Sequence, residues 1–248
     1  MKNHKNFTIV ELLIVIAILA ILASMLLPAL NKARKEAKTI SCADNLKQNI
    51  LAMTMYANNY DEVMPFIAQN TPAIPQVWWP SWVDILLESG ELTSTDSLSC
   101  PSSPTANVEI VPGVATYLNV YGVWRTGNYF GSQGIQLSSG YWFEGVSLET
   151  IKDPSNFIIM GDSFIDVQNG TTVNSQFAYI KLTATGDKYV AHAKHKGRIN
   201  AAYADGHVSP LLPIEYKATI NEMKADGGAA EISTVYYYDK EKLIWEGI

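Results

Sequence analysis

From Leu12 to Leu30 the chain runs nineteen residues without a charge, nearly all of them aliphatic, and this run limits what the rest can be. At 1.5 Å per residue it makes about 28 Å of helix, enough to cross a hydrocarbon core of about 30 Å. A soluble core helix has no use for such a stretch, so it reads as a membrane span. Residues 1–6, with Lys2, His4 and Lys5, form a short positive leader ahead of it. A secretory signal peptide shares that layout, but its apolar region is about 7–15 residues and its helix does not continue. Here it does. Leu30, Ala33, Ala37, Ile40, Ala43, Leu46, Ile50, Met53, Ala57 and Tyr60 recur at steps of three and four, one stripe of an amphipathic helix. The pattern predicts one helix from about Phe7 to about Asn58, on the order of 75 Å long.

Two residues are unusual for a simple anchor. Pro28 lies inside the helical pattern, removes a backbone hydrogen bond and predicts a kink. Glu11 opens the apolar run, where a carboxylate is costly unless it is paired or lies at the interface. The charge is also uneven. Residues 1–60 carry seven Lys/Arg against three Asp/Glu, whereas residues 61–248 carry eleven against twenty-one. A globular part that acidic repels phosphate, which speaks against nucleic-acid binding.

The segment Phe7-Thr8-Ile9-Val10-Glu11-Leu12-Leu13-Ile14-Val15-Ile16-Ala17-Ile18-Leu19-Ala20 resembles the prepilin-type cleavage and methylation motif of type IV pilins and type II secretion pseudopilins. The resemblance implies cleavage by prepilin peptidase between Asn6 and Phe7 and N-methylation of Phe7. The family usually has Gly before the cut, and Asn6 departs from that. It also implies assembly roles for Glu11 and Pro28, with Glu11 pairing to the freed amine of Phe7 on a neighbouring subunit in a medium that screens charge poorly. Two lysines precede the span and Lys32, Arg34, Lys35 and Lys38 follow it, which by charge alone favours the reverse orientation. The resemblance implies instead a cytoplasmic leader and an extracytoplasmic C-terminal domain on a single-pass inner-membrane protein.

The layout expected is therefore a leader at 1–6, the transmembrane half of the helix at 7–30, its amphipathic half at 31–60 and an extracytoplasmic domain at 61–248. In that domain Ser81 to Leu92 reads as a short helix capped by Ser81, with Gly90 near its end. Phe157 to Met160 reads as a buried strand. Arg198 to Val208 reads as a hairpin turning at Asp205-Gly206, and Thr234–Tyr238 with Leu243–Trp245 as an edge hairpin. The fold class expected is α+β, a long helix packed on an antiparallel sheet. His195, nine residues, then Asp205-Gly206 is similar to the H-x9-D-G signature of large membrane-anchored pilin-like proteins, as are Ser41-Cys42, Cys100-Pro101 and, more loosely, Tyr117-Leu118-Asn119.

The chemistry-bearing residues are few. Cys42 and Cys100 are open to two readings: free buried thiols, or, on export, a disulfide closing 57 intervening residues. His192, His195 and His207 with Asp205 are ligand types for zinc, but no Cys pair or H-E-x-x-H supports a site. The reading adopted is a hydrogen-bonded His195, surface histidines, no metal and no cofactor. Gly161-Asp162-Ser163 resembles a nucleophile turn but lacks the G-x-S-x-G elbow. No acidic loop of EF-hand spacing appears, and Trp78, Trp79, Trp124 and Trp142 read as core aromatics. The expected function is a non-enzymatic structural subunit of a type IV pilus or type II secretion pseudopilus. Its partners would be copies of itself or other pilin-like subunits, prepilin peptidase and the inner-membrane assembly machinery. The alternative is a membrane-anchored binding module whose aromatic loops take a glycan or protein ligand.

Overall fold

The computed structural model describes residues 8–69, 80–103, 108, 116, 118–124, 134–136, 142–168, 171–180, 189–226, 236–239 and 244–247. Asn6, Phe7, Trp78 and Trp79 lie outside the described residues, as do the side chains of Trp124 and Trp142.

Helix α1 spans Ile9–Asn59 and continues through Pro28. Thr8 starts it with a capping box: Glu11 N–H donates to Thr8 Oγ1 at 3.2 Å, and Thr8 N–H and hydroxyl both donate to Glu11 Oε2 at 2.9 Å. It ends where Asp61 and Glu62 take positive φ and turn the chain back. Cys42, Leu46, Asn49, Ile50, Met53, Tyr56 and Ala57 are its buried positions, together with Ala52. The expected stripe holds at Leu46, Ile50, Met53 and Ala57. It fails at both ends, since Ile40 is 59% exposed and Tyr60 48%. The globular part encloses the helix only from Cys42 onward and meets it before that through polar side chains such as Thr39 and Glu36, so the apolar positions between Leu30 and Ile40 stay uncovered by the described residues. Leu46, Ile50 and Met53 are fully enclosed, and burying each contributes about 1.5–3 kcal/mol.

After α1 come β1 (Val63–Gln69), α2 (Trp82–Glu88), β2 (Gly122–Trp124), β3 (Gly134–Gln136) and β4 (Trp142–Ser147). Then follow β5 (Ile158–Gly161), β6 (Ser163–Gln168), β7 (Thr171–Ser175), β8 (Tyr179–Ile180) and β9 (Tyr189–His192). The chain closes with β10 (Ile199–Tyr203), β11 (Val208–Leu211), α3 (Pro213–Asp226), β12 (Tyr236–Asp239) and β13 (Ile244–Gly247). The described strands form three sheets, ordered β1-β4-β3, β11-β10-β5-β2-β8 and β13-β12-β9-β6-β7. The arrangement is α+β, a long helix against sheets, and most pairings are antiparallel. Two are not: β2 pairs with β8 and β12 with β9 in parallel. The expected antiparallel arrangement holds for the other pairings; β8 and β12 pair with strands far from them in the chain, which permits a crossover in place of a hairpin.

Several local expectations match. Ser81 caps α2, with its N–H and hydroxyl on Asp84 Oδ2 at 2.7 and 2.9 Å. The buried strand is β5, every residue of it enclosed. The hairpin β10–β11 turns through Asp205-Gly206, where Gly206 takes φ +88°, a conformation that favours glycine. β12 and β13 form the edge hairpin. The helix α3 was not anticipated. It carries Tyr216, Ile220 and Met223, spaced four and three apart, into a second apolar cluster with Ile158, Ile199 and Tyr203.

Gly122 marks the tightest packing in the central sheet. A Cβ there would stand 2.6 Å from Ile180 Cγ1, 2.7 Å from Ser163 Cβ and 3.0 Å from the Phe177 carbonyl oxygen. Gly122→Ala is expected to destabilise the protein by about 1–3 kcal/mol, read as a lower urea midpoint. An unchanged midpoint would mean that β2 does not sit this close to β6 and β8.

Candidate functional site

The buried end of α1 meets three separate parts of the chain at one point. Asn45 Nδ2 and Asn49 Nδ2 donate to the carbonyls of Ser99 and Ser97 at 2.9 and 2.8 Å, drawing the segment before Cys100 onto the helix. Cys100 N–H donates to Gln176 Oε1 at 2.7 Å. Cys100 is thereby set beside Cys42. Both are free thiols, and both are fully enclosed.

Asp162 sits in the break between β5 and β6, with its N–H on the Asn200 carbonyl at 3.0 Å and its own carbonyl accepting from His192 N–H at 2.9 Å. Its side chain points inward, where Cys42 Sγ lies 3.3 Å from Oδ1 and Asn200 N–H 3.1 Å from Oδ2. Lys194 Nζ, equally enclosed, pairs with Oδ1 at 3.1 Å. His195 enters from the turn that joins β9 to β10, closed by reciprocal backbone hydrogen bonds with Arg198. Its Nε2 lies 3.3 Å from Cys100 Sγ and 3.5 Å from Asp162 Oδ2, while Nδ1 lies 3.1 Å from Thr39 Oγ1 on α1. Thr39 gives its own proton to the Lys35 carbonyl at 3.1 Å. Its oxygen therefore accepts from His195 Nδ1–H, which leaves the Nε2 lone pair facing the sulfur and the carboxylate.

The electrostatics separate the two thiols. Burial pushes the Cys42 thiol well up, with Cys100 and Asp162 adding to it. At Cys100 burial also opposes ionisation, but the hydrogen bond from Cys42 and the charge of Lys194 outweigh it and bring the thiol down. Burial raises the Asp162 carboxyl, against the pull of Lys194. An open pocket of about 360 Å³, lined by Lys35, Lys38, Lys194 and Lys196, reaches His195 from the surface. Lys196 also pairs with Glu36 of α1.

Of the histidines weighed in the sequence, only His195 joins this cluster, and its carboxylate partner is Asp162, not Asp205. His207 sits in the hairpin turn with Nδ1 2.6 Å from Asp205 Oδ1, its ring stacked on Tyr203 at 4.0 Å. His192 is buried, its ring 4.9 Å from that of Phe164. The H-x9-D-G spacing thus separates two roles: His195 faces the helix, and Asp205-Gly206 makes the turn between β10 and β11. Cys42 and Cys100 lie side by side as free, buried thiols. Asp162, Lys194 and Thr39 were not anticipated as partners of this cluster, and Gly161-Asp162-Ser163 is a strand break with Ser163 Oγ occupied by the Phe177 carbonyl at 2.6 Å. Thr8 was also overlooked, although Thr-x-x-Glu before an apolar run is the capping-box pattern.

At the other end of the chain, α1 is long and apolar enough to cross a membrane, and its most apolar window has no buried residue. Glu11 is the one charge between Ile9 and Leu30. Residues 1–27 match the family described as the prokaryotic N-terminal methylation motif. Over 56 residues the chain is 48% identical to the type IV wide pilus major component PilA4 of Thermus thermophilus, a stretch covering 23% of this chain and 43% of that protein. The chain thus spans less than half the length of that curated relative. No solved structure matches it.

Proposed function

Starting from a pilin-like chain that carries a prepilin-type N-terminal methylation motif, we propose that this protein is a non-enzymatic structural subunit that assembles into a filament through α1. The observation that carries this reading is the bare first half of that helix. From Ile9 to Leu30 every residue is exposed, large aliphatic side chains included, and nothing among the described residues covers them. Such a surface is stable only in lipid or against other apolar helices. In a monomeric anchor Glu11 serves only the cap with Thr8. In a bundle of these helices it gains a second role, because it can meet the amine that cleavage before Phe7 would free on a neighbour.

In the unassembled subunit the Glu11 carboxylate is satisfied by Thr8. Insertion into the bilayer then leaves no bare charge, and assembly exchanges these local hydrogen bonds for a partner's amine. On this reading prepilin peptidase cuts between Asn6 and Phe7, Phe7 is N-methylated, and the protein spans the inner membrane once before assembly. Its leader is cytoplasmic and its C-terminal domain extracytoplasmic. On the same reading the subunit is a minor pilin or a pseudopilin of a type II secretion system, and its partners are other pilin-like subunits and inner-membrane assembly proteins.

The test is Glu11→Ala in the full-length protein. Filament incorporation, read by immunoblot of the sheared filament fraction, is expected to fall below detection while the membrane level of the subunit is unchanged. Assembly at the wild-type level would overturn the proposal.

A further inference from the structure

We propose that Cys42, Cys100, Asp162 and His195 form a binding site for a divalent transition-metal ion of the zinc class, fastening α1 to the sheets. Each residue offers one ligand atom, and the four atoms all lie within 4.8 Å of one another in a buried setting. Cys42 Sγ lies 3.3 Å from Asp162 Oδ1, Cys100 Sγ 3.3 Å from His195 Nε2 and His195 Nε2 3.5 Å from Asp162 Oδ2, separations close to the edges of a coordination tetrahedron in which one of the two carboxylate oxygens takes the fourth corner. With zinc–ligand bonds of about 2.0–2.3 Å, those edges fall at about 3.3–3.8 Å. Two thiolates, an imidazole and one carboxylate are a donor set for zinc-type ions and a poor one for calcium or magnesium.

The surroundings are those of a ligand shell held in place. Thr39 fixes the His195 tautomer so that Nε2 presents a lone pair inward. Ser102 N–H lies 3.4 Å from Cys100 Sγ, Tyr121 Oη 3.2 Å from Cys42 Sγ, and Asn200 N–H donates to Asp162. The charge also closes. A divalent ion with Lys194 balances two thiolates and the Asp162 carboxylate, so the enclosed site as a whole is neutral. The ligands come from residues far apart in the chain, so binding, which displaces the thiol protons to solvent, fixes the tertiary arrangement directly. This inference does not depend on filament assembly.

The full-length protein, extracted from membranes in mild detergent and equilibrated with Zn²⁺, is expected to retain one ion per chain after dialysis, read by elemental mass spectrometry. Its two thiols should react with a thiol reagent only once a chelator is added. Replacement by Co²⁺ should give the thiolate charge-transfer and visible bands of a tetrahedral site. Thr39→Val should weaken cobalt binding about 10–100-fold without changing the stoichiometry. His195→Ala should abolish the visible bands, and His207→Ala should leave them as they were. Sub-stoichiometric zinc in the wild type, or a Cys42–Cys100 disulfide in its peptide map, would overturn the proposal whether or not the variants fold.

Discussion

Replacing Lys194 with methionine is expected to lower the stability of the full-length protein by about 3–5 kcal/mol, the usual cost of stranding one member of an enclosed ion pair. The side chains of Lys194 and Asp162 are 1% and 0% exposed and their atoms 3.1 Å apart. Methionine keeps most of the apolar stem and removes the cation against Asp162 Oδ1. The carboxylate would then face Cys42 and Cys100 with only the Asn200 N–H and the His195 ring beside it. Urea unfolding of the detergent-extracted protein in the presence of chelator reads this pair without any contribution from bound metal. Lys196→Met is the control. Its pair with Glu36 is exposed on both sides, and its midpoint should stay close to wild type. The double variant of Lys194→Met with Asp162→Asn should lose less than the two single losses added together, since each single change already removes the same interaction. Equal midpoints for Lys194→Met and Lys196→Met would show that the inner pair is not desolvated.

Trp82→Ala should be as damaging. Trp82 is fully enclosed, packs in the cluster that includes Leu46, Ile50 and Met53 of α1, and donates from Nε1 to the Tyr121 carbonyl at 3.1 Å. Emptying that volume costs about 3–5 kcal/mol, and the carbonyl left without its donor adds to the loss. Trp82→Phe separates the two effects, because it refills most of the space and restores no hydrogen bond, so its loss should be near 1 kcal/mol above the packing change. The damage should also travel. Tyr121 hangs its hydroxyl over Cys42, 3.1 Å from the carbonyl and 3.2 Å from the sulfur. Thiol reactivity of Cys42 therefore reports on Trp82: it should rise in Trp82→Ala and stay at the wild-type level in Trp82→Phe. Wild-type reactivity in both variants would break that link.

What could be read from the chain beforehand was whatever depends on neighbours in sequence. The caps at Ser81, the Asp205-Gly206 turn and the spacing of Leu46, Ile50, Met53 and Ala57 all act within one turn or one hairpin. Thr8 and α3 belong to the same class and were legible in principle. Thr8-x-x-Glu11 is a local pattern, and Pro213 followed by Tyr216, Ile220 and Met223 places a favoured first residue ahead of an apolar face. The cluster at Asp162 is different in kind. Its members come from a helix, a loop, a strand break and a turn, and no spacing connects them. His195 and Asp205 stay apart because the hairpin carries Asp205 away to its tip, whereas Asp162 arrives through the pairing of β5 with β10. The parallel pairs β2–β8 and β9–β12 were illegible for the same reason, since short strands reveal their pleat but not their distant neighbour. Where α1 stops being covered was also beyond the sequence. Ile40 has the spacing of a buried position and lacks only a surface to meet.

That uncovered length sets a distance. Between Leu30 and Cys42 lie eleven residues of continuous helix with no enclosed side chain. At 1.5 Å each they rise about 17 Å. The folded body touches the upper part of that rise through polar groups, Lys196 on Glu36, His195 on Thr39 and the pocket wall at Lys35 and Lys38. With the apolar half seated as proposed, Lys32 and Arg34 stand nearest the lipid phosphates, and the body begins about one turn above them.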